Sequence, residues 1–207
     1  MTRPFEHAVI MITSKCDGKC PHCCCRVADG GLGKPRVFSV AGLAKAVEYL
    51  RGLKSICISG GEPGLHPDLP QIAAEFRVLF KPERFNLATN GEAVVRYPES
   101  MRHFDEVRVT AFDTDRARKA AVWMREHEPA RFRPQSSVHT PTPTKDRGQP
   151  CSREAIAAWF NGKLYRCCVA PGQPGAVGVD PMKTKDWEAA YTRLPLPCTR
   201  CPFSPEG

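Results

Sequence analysis

No stretch of this chain approaches the roughly 20 consecutive apolar residues that a membrane-spanning helix needs. Met1 to Ile12 lacks an apolar core followed by a small-residue cleavage site, so a secretory signal is not expected. A Ser-His-Asp set, a Walker-type phosphate loop and a paired acid and base are all absent as motifs. An even set of cysteines, which paired disulfides would need, is absent too: the 207 residues hold 11. Without a secretory signal, that many cysteines point to thiolates that bind metal in a cytoplasmic protein. An apolar fraction of 42% can bury a real core. The formal charge of +8 permits an acidic partner such as nucleic acid. The arginines are scattered, however, and bound clusters would cancel part of the excess.

Three of the cysteines, Cys16, Cys20 and Cys23, stand as C-x3-C-x2-C within TSKCDGKCPHC. Asp17, Gly18 and Pro21 suit a tight loop, in which the sulfurs can converge. Three thiolates on one loop can hold three irons of a cubic 4Fe-4S cluster and leave the fourth iron open to a substrate. A zinc site is the competing reading of C-x2-C spacing, but zinc sites are usually built from two paired half-sites. Cys24 and Cys25 extend the run. Neighbouring residues cannot all face one metal, so these two read as packed or incidental. Cys57, inside an expected strand, reads as a small apolar core residue. A second stretch, Ser59-Gly60-Gly61-Glu62-Pro63, directly follows the apolar run Ser55–Ile58.

The cysteine triplet and the SGGEP segment together resemble the radical S-adenosylmethionine (radical SAM) superfamily. The resemblance implies a partial barrel around a SAM pocket and a SAM-binding 4Fe-4S cluster on Cys16, Cys20 and Cys23. It implies that Gly60, Gly61, Glu62 and Pro63 contact the SAM amino group. His22, just before the third cysteine, either stacks near the adenine or is an exposed loop residue. Thr89 and Asn90 are candidates to line the pocket, although Asn90-Gly91 is first a turn signal. Thr110 and Asp113 are candidates for ribose or substrate contacts, and Asp113 could equally cap a helix.

The order of elements is expected to be strand then helix, repeated. Strands are expected at His7–Ile12, Ser55–Ile58, Phe85–Ala88, Val107–Ala111 and Phe132–His139. Helices are expected from a Ser39 cap to Gly52, over Pro67–Phe80 with Leu69, Ile72, Ala73, Phe76 and Leu79 on one face, as a short piece near Glu92–His103, and from a Thr114 cap to about His127. Alternating strands and helices imply a parallel sheet. Functional residues then gather at the carboxyl ends of the strands, which is where the cysteine loop, SGGEP and Thr89-Asn90-Gly91 fall. The fold class is therefore α/β: a shortened, open partial (β/α) barrel, since only about five strands can be placed before Cys151.

Residues 140–150, TPTPTKDRGQP, read as a Pro-rich linker. Beyond it, Ala155–Phe160 and Lys163–Cys167 flank Asn161-Gly162, a strong hairpin signal. A helix over Lys185–Leu194 carries Trp187 and Tyr191 and leads to Cys198-Thr199-Arg200-Cys201. Cys151, Cys167, Cys198 and Cys201 are expected to converge on one metal, with Cys168 as a substitute for Cys167. This pattern resembles the SPASM/Twitch extension of many radical SAM proteins, in its one-cluster form. That implies a core at 1–140, a linker at 141–150 and an auxiliary 4Fe-4S segment at 151–207. A four-cysteine zinc ribbon is the alternative for this segment taken alone.

The resulting expectation is an enzyme that reductively cleaves SAM and uses the 5'-deoxyadenosyl radical on a peptide or small molecule. Its reductant would be a flavodoxin or ferredoxin. A non-catalytic iron–sulfur carrier or sensor is the alternative class, against which SGGEP argues. A radical enzyme acting on nucleic acid rests on charge alone. His66, His103, His127 and His139 each read as surface or packing residues.

Overall fold

The computed structural model describes residues 3–18, 23, 25, 30–111, 114–136, 156–167, 170–173 and 175–195. Seven strands form one sheet in the order β5-β4-β3-β2-β1-β6-β7. They are β1 (His7–Thr13), β2 (Ser55–Gly60), β3 (Arg84–Thr89), β4 (Glu106–Ala111), β5 (Phe132–Ser136), β6 (Ile156–Phe160) and β7 (Lys163–Tyr165). Every pairing from β5 to β6 is parallel, and only β6–β7 is antiparallel. A parallel neighbour needs a crossover. Helices α3 (Leu69–Phe80) and α5 (Asp115–His127), with the shorter α1 (Val40–Ala44), α2 (Val47–Leu50) and α4 (Glu92–Arg96), lie in those crossovers, and α6 (Trp187–Thr192) follows β7.

The five expected strands before Cys151 are all present. The sixth parallel strand comes from beyond the Pro-rich segment: β6 pairs with the free edge of β1, with His7 opposite Ile156 and Ile10 opposite Trp159. Asn161 and Gly162, at φ of 52° and 76°, turn the chain back into β7 as the Asn-Gly pair demands.

Strand alternation sorts the sheet into two faces. Ile10, Ile12, Ile56, Ile58, Phe85, Leu87, Val107 and Val109 point to the helices and join Leu69, Ile72, Phe76, Ala120 and Met124 in the main core. Trp159, Trp187 and Tyr191 extend the same core, and Phe5 packs 5.1 Å from Tyr191. The opposite face carries Met11 and Phe160, which form a second apolar cluster with Cys25 and Leu32 of the cysteine-rich segment.

Several element limits differ from expectation. The helix after Ser39 breaks into α1 and α2 around a tight i to i+3 turn, where the Ala46 amide donates to Leu43 O at 3.0 Å. The piece at 92–103 splits into α4 and a 3-10 turn, Pro98–His103, because Pro98 ends the α-helix. On α3 the buried residue of the last turn is Phe80, four after Phe76, and Leu79 is left 39% exposed. Cys57 is not part of either apolar cluster. It alternates onto the face away from the helices, and loss of solvation there, against the nearby Arg108 guanidinium, leaves its thiol pushed up to about 11. The last residues of the expected fifth strand, 137–139, and the linker lie outside the described residues.

Candidate active site at the carboxyl ends of the strands

The chain leaves β1 at Thr13, and residues 34–38 return beside that exit. The Thr13 hydroxyl donates to Arg36 O at 2.8 Å, the Ser14 hydroxyl donates to Lys34 O at 3.0 Å, and the Phe38 amide donates to Ile12 O at 3.2 Å. The cysteine-rich loop is thus a bight closed at its neck. Cys16 sits just past the neck, and its sulfur accepts the Gly18 amide at 3.4 Å. An N–H aimed at sulfur stabilises a thiolate, the form that binds metal. Cys23, half-buried, packs on the Met11, Cys25, Leu32 and Phe160 cluster, which gives the loop a dry floor. These features fit an iron–sulfur cluster. Cys20, His22 and Cys24 lie outside the described residues. Cys25 is packed, 6% exposed, in the same cluster.

The SGGEP segment is joined to this loop through its backbone. The Gly61 amide donates to Thr13 O and the Glu62 amide to Lys15 O, both at 2.8 Å. A Cβ on Gly60 would lie 2.3 Å from Thr13 O, and one on Gly61 would lie 2.1 Å from Lys15 O and 3.0 Å from Cys16 Cβ. The absence of a side chain is therefore used to bring β2 against the cysteine loop. Gly64 does the same for α4, since its Cβ would meet the Ala93 amide nitrogen at 2.3 Å.

Glu62 joins this segment to the next strand end. Its Oε1 accepts the Gly64 amide at 2.8 Å and the Thr89 hydroxyl at 2.6 Å, and its Oε2 accepts the Asn90 amide at 2.7 Å. The residue is 1% exposed. Burial pushes its carboxyl above the ordinary range, against those three donors, which favour the charged form. With so little surface, the carboxylate's partners are within the protein. Gly60 and Pro63 are buried as well, and Gly61 is half-buried.

Thr89 and Asn90 close the third strand end. The Thr89 hydroxyl accepts the Gly91 amide at 3.0 Å, and Asn90 Oδ1 accepts the Glu92 amide at 3.1 Å, so both residues also start α4. Asn90 Nδ2 donates to Asp17 Oδ1 at 3.1 Å. Arg116, in the first turn of α5, forms a fork on Asp17 and reaches Glu92 Oε2 at 2.9 Å. Arg96 holds the other oxygen of Glu92. Burial works to raise Asp17, but the hydrogen bonds from Arg116 and Asn90 outweigh it and hold the carboxyl below its ordinary range. This brace escaped sequence reading. Its four charges are scattered from 17 to 116, and Asp17 read only as a tight-loop residue. Thr110, half-buried, lies at the end of β4 on the face away from the helices. Asp113 lies outside the described residues, and the cap of α5 is the Thr114 hydroxyl, which accepts the Ala117 amide at 3.2 Å.

Cys16, the SGGEP segment, Asn90 and Thr110 thus share one edge of the sheet. Residues 10–125 match the model of the Radical SAM superfamily. The chain belongs to the radical SAM superfamily. For that group a 4Fe-4S cluster and SAM are the implied cofactors. It is 30% identical over 114 residues to the GTP 3',8-cyclase of Acidothermus cellulolyticus, covering 52% of this chain and 32% of that enzyme. It is 30% identical over 98 residues to the GTP 3',8-cyclase of Stenotrophomonas maltophilia, covering 45% of this chain and 29% of that enzyme. The chain spans about a third of the length of these relatives. Its fold is similar to BtrN in complex with AdoMet and 2-DOIA, with a TM-score of 0.69 and 14% identity over 92% of this chain and 87% of that one. It is also similar to Streptococcus suis SuiB bound to precursor peptide SuiA, with a TM-score of 0.51 and 11% identity over 91% and 65%. At these identities the likeness is one of fold.

The remaining expected ligands are Cys151, Cys167, Cys198 and Cys201. Only Cys167 is described: it is buried, two residues past β7. The 3-10 turn that follows it, Ala170–Gly172, packs against the cysteine-rich loop so closely that a Cβ on Gly172 would lie 2.4 Å from Cys25 O. Cys151, Cys168, Cys198 and Cys201 lie outside the described residues. His66 is a packing residue. Its Nε2 donates to Phe38 O at 2.8 Å and its Nδ1 accepts the Asp68 amide at 3.1 Å. A hollow of about 740 Å³ lined by Phe5, Tyr49, Lys54 and Trp187 lies at the amino ends of β1 and β2, away from this site. Among the described residues no helix is long and apolar enough to cross a membrane.

Proposed function

We propose that this chain reductively cleaves SAM to a 5'-deoxyadenosyl radical and uses it to modify a peptide or a small molecule. Cys16, Cys20 and Cys23 hold three irons of the cluster. Bound there, such a cluster would supply the electron that splits the sulfonium of SAM, and the radical so formed would take a hydrogen atom from the substrate. The chain's own part is to seat, orient and exclude water. The backbone of Gly60, Gly61 and Pro63 faces the amino group of SAM, and Glu62 fixes that backbone against Thr89 and Asn90. Thr110 lies beside the ribose or substrate, and His22 stacks near the adenine. Cys151, Cys167, Cys198 and Cys201 would hold a second 4Fe-4S cluster in a Twitch-like segment, which would serve electron transfer or structure. The electron comes from a flavodoxin or ferredoxin in the cytoplasm.

The observation that supports this reading best is the double junction of SGGEP, by amide bonds to Thr13 and Lys15 and by the Glu62 carboxylate to Thr89 and Asn90. It ties the cysteine loop and two further strand ends into one unit. Anaerobically reconstituted protein incubated with SAM and dithionite is expected to release 5'-deoxyadenosine, and the Cys16→Ala variant none. An iron–sulfur protein that binds SAM without releasing that product would overturn the reading. Iron analysis is expected to give about eight irons per chain for two full cubes, and about four with one zinc if the C-terminal site is a zinc ribbon.

A further inference from the structure

The face of the sheet turned away from the helices carries a charge pattern that the cluster and SAM do not use. Along β4 the residues on this face are Glu106, Arg108 and Thr110. Register sets Arg108 beside Ala88 of β3 on one side and Arg133 of β5 on the other. One row nearer the strand starts, Asn86 pairs with Cys57 and with Glu106. Two guanidinium groups thus stand side by side across neighbouring strands, where like charges repel unless something between them compensates.

Glu106 compensates them in part. One carboxylate oxygen takes the Arg108 Nε–H, and the other lies 3.8 Å from Arg133 Nε. The triad keeps a net charge of +1. Glu106 holds the inner edge of both guanidinium groups. Arg133 Nη1 donates to Phe132 O at 2.9 Å, and among the described residues no acceptor meets the Nη atoms of Arg108 or Arg133 Nη2. Arg108 and Arg133 side chains are 46% and 59% exposed, against 23% for Glu106. The carboxylate is therefore the half-buried organiser and the forks are the exposed ends. Beside them Asn86 is only 7% exposed, yet its Oδ1 has no hydrogen-bond partner. A buried acceptor left unmet is costly unless something completes it.

The surroundings suit a ligand. On this face Ser59 and Ala88 are small and half-buried, and they lie between Met11 and Phe160 on one side and the arginines on the other. Thr110 lies two residues beyond Arg108 on the same face, about 7 Å along the strand, and Ser59 directly precedes Gly60. An anion held by the forks would place the body of its molecule over Ser59 and Ala88, next to the SAM-binding strand ends.

We propose that Arg108 and Arg133 form the anion-binding end of the substrate site and take a phosphate or a carboxylate carried by the substrate. Glu106 orients both forks, and Asn86 Oδ1 accepts a hydroxyl or N–H next to that anionic group. A planar guanidinium matches either anion with two parallel hydrogen bonds. This rests on the reading of these strand ends as the SAM site.

The test uses the reconstituted holoenzyme saturated with SAM, titrated calorimetrically with inorganic phosphate, pyrophosphate and glutarate. Wild type is expected to bind one of the two anion classes in preference, which separates phosphate from carboxylate. Arg108→Gln and Arg133→Gln are each expected to weaken it by about tenfold, as loss of a hydrogen bond to a charged group does. The double variant is expected to abolish it. Arg108→Lys keeps the charge but loses the fork and should fall between. Arg102→Gln, in the exposed turn before β4, should bind as wild type does. Iron content and circular dichroism check that each variant is folded. Unchanged anion binding in the double variant overturns the proposal, as does equal loss in Arg102→Gln. Weaker binding of SAM itself by Arg108→Gln would assign the pair to the SAM pocket and also overturn it. Release of 5'-deoxyadenosine under dithionite is measured on the same samples. Its absence from wild type counts against the radical chemistry, whereas loss confined to anion binding counts only for this site.

Discussion

Asp17 and Arg116 are 99 residues apart in sequence and joined side chain to side chain. The first stands in the cysteine loop directly after Cys16, and the second opens α5. Arg116 also holds Glu92, so one guanidinium ties the loop to the starts of α4 and α5. Both partners are partly exposed, and solvent screening limits the pair to about 1 kcal/mol. A double-mutant cycle with Asp17→Asn and Arg116→Gln, read by chemical denaturation, is expected to return a coupling of that size. Because Asp17 is held below its ordinary range, its contribution is present above about pH 4 and lost as pH falls further. Zero coupling energy would show the contact to be incidental.

Glu62 is expected to matter more to stability than its single charge suggests. Glu62→Ala strands the Gly64 amide, the Asn90 amide and the Thr89 hydroxyl in a buried setting. Each unmet donor costs about 1–3 kcal/mol, so a loss of about 3 kcal/mol or more is expected, together with weaker SAM binding. Glu62→Gln keeps the shape and two acceptor contacts and should fall between. If Glu62→Ala lost SAM binding with no loss of stability, the carboxylate would be touching SAM itself.

Gly61→Ala should act on the cluster rather than on the sheet. Its new methyl group would press on Lys15 O and on Cys16 Cβ, so iron content after reconstitution is expected to drop sharply. Gly33→Ala provides the contrast. Gly33 has a φ of 73° but open space around its Cβ position, so it should cost about 1 kcal/mol of backbone strain and leave iron content intact. Equal iron loading in the two variants would count against the close approach of β2 to the loop.

Among the cysteines, Cys16→Ala, Cys20→Ala and Cys23→Ala are each expected to abolish the SAM-binding cluster. Cys25→Ala should instead lower stability by about 1 kcal/mol through lost packing and keep the iron. Iron and sulfide analysis beside thermal unfolding separates the two effects. A Cys25→Ala protein without iron would reassign the loop.

His66 supplies a pH dependence of the opposite kind to a surface histidine. Burial of its ring outweighs the Phe38 carbonyl and Asp68 and holds its pKa below the ordinary value. The unfolded chain then binds the extra proton first, at about pH 6.5. Its contribution is complete above that pH and declines as the solution is acidified. Unfolding free energies measured from pH 7 to 5 should fall with pH in wild type and fall less in His66→Gln.

The strands, their parallel order and the edge that carries the chemistry were legible in the sequence. The apolar runs of the strands, the placement of SGGEP and Thr89-Asn90-Gly91 after them and the Asn161-Gly162 turn are local signals. What was not legible depends on distance along the chain. Nothing within Ile156–Phe160 announces that it will pair with the edge of β1. Cys57 reads as core because strand residues on either face look alike until the helices choose one. The close approach of Gly60 and Gly61 to the Thr13 and Lys15 backbone, over 40 residues earlier, was not legible either. Ion pairs such as Asp17–Arg116 leave no periodic trace at all.

The contact of Gly172 with the carbonyl of Cys25, and the seat of β6 beside β1, set an order of events during synthesis. β1 is made well before Ile156–Phe160, and one of its edges stays open until they follow. The floor of the cysteine loop is incomplete until Phe160 arrives, and the segment lacks its Gly172 neighbour for longer still. A cluster seated on a complete floor therefore waits for Phe160 and Gly172. Until then the nascent protein offers thiols and a bare strand edge to its surroundings.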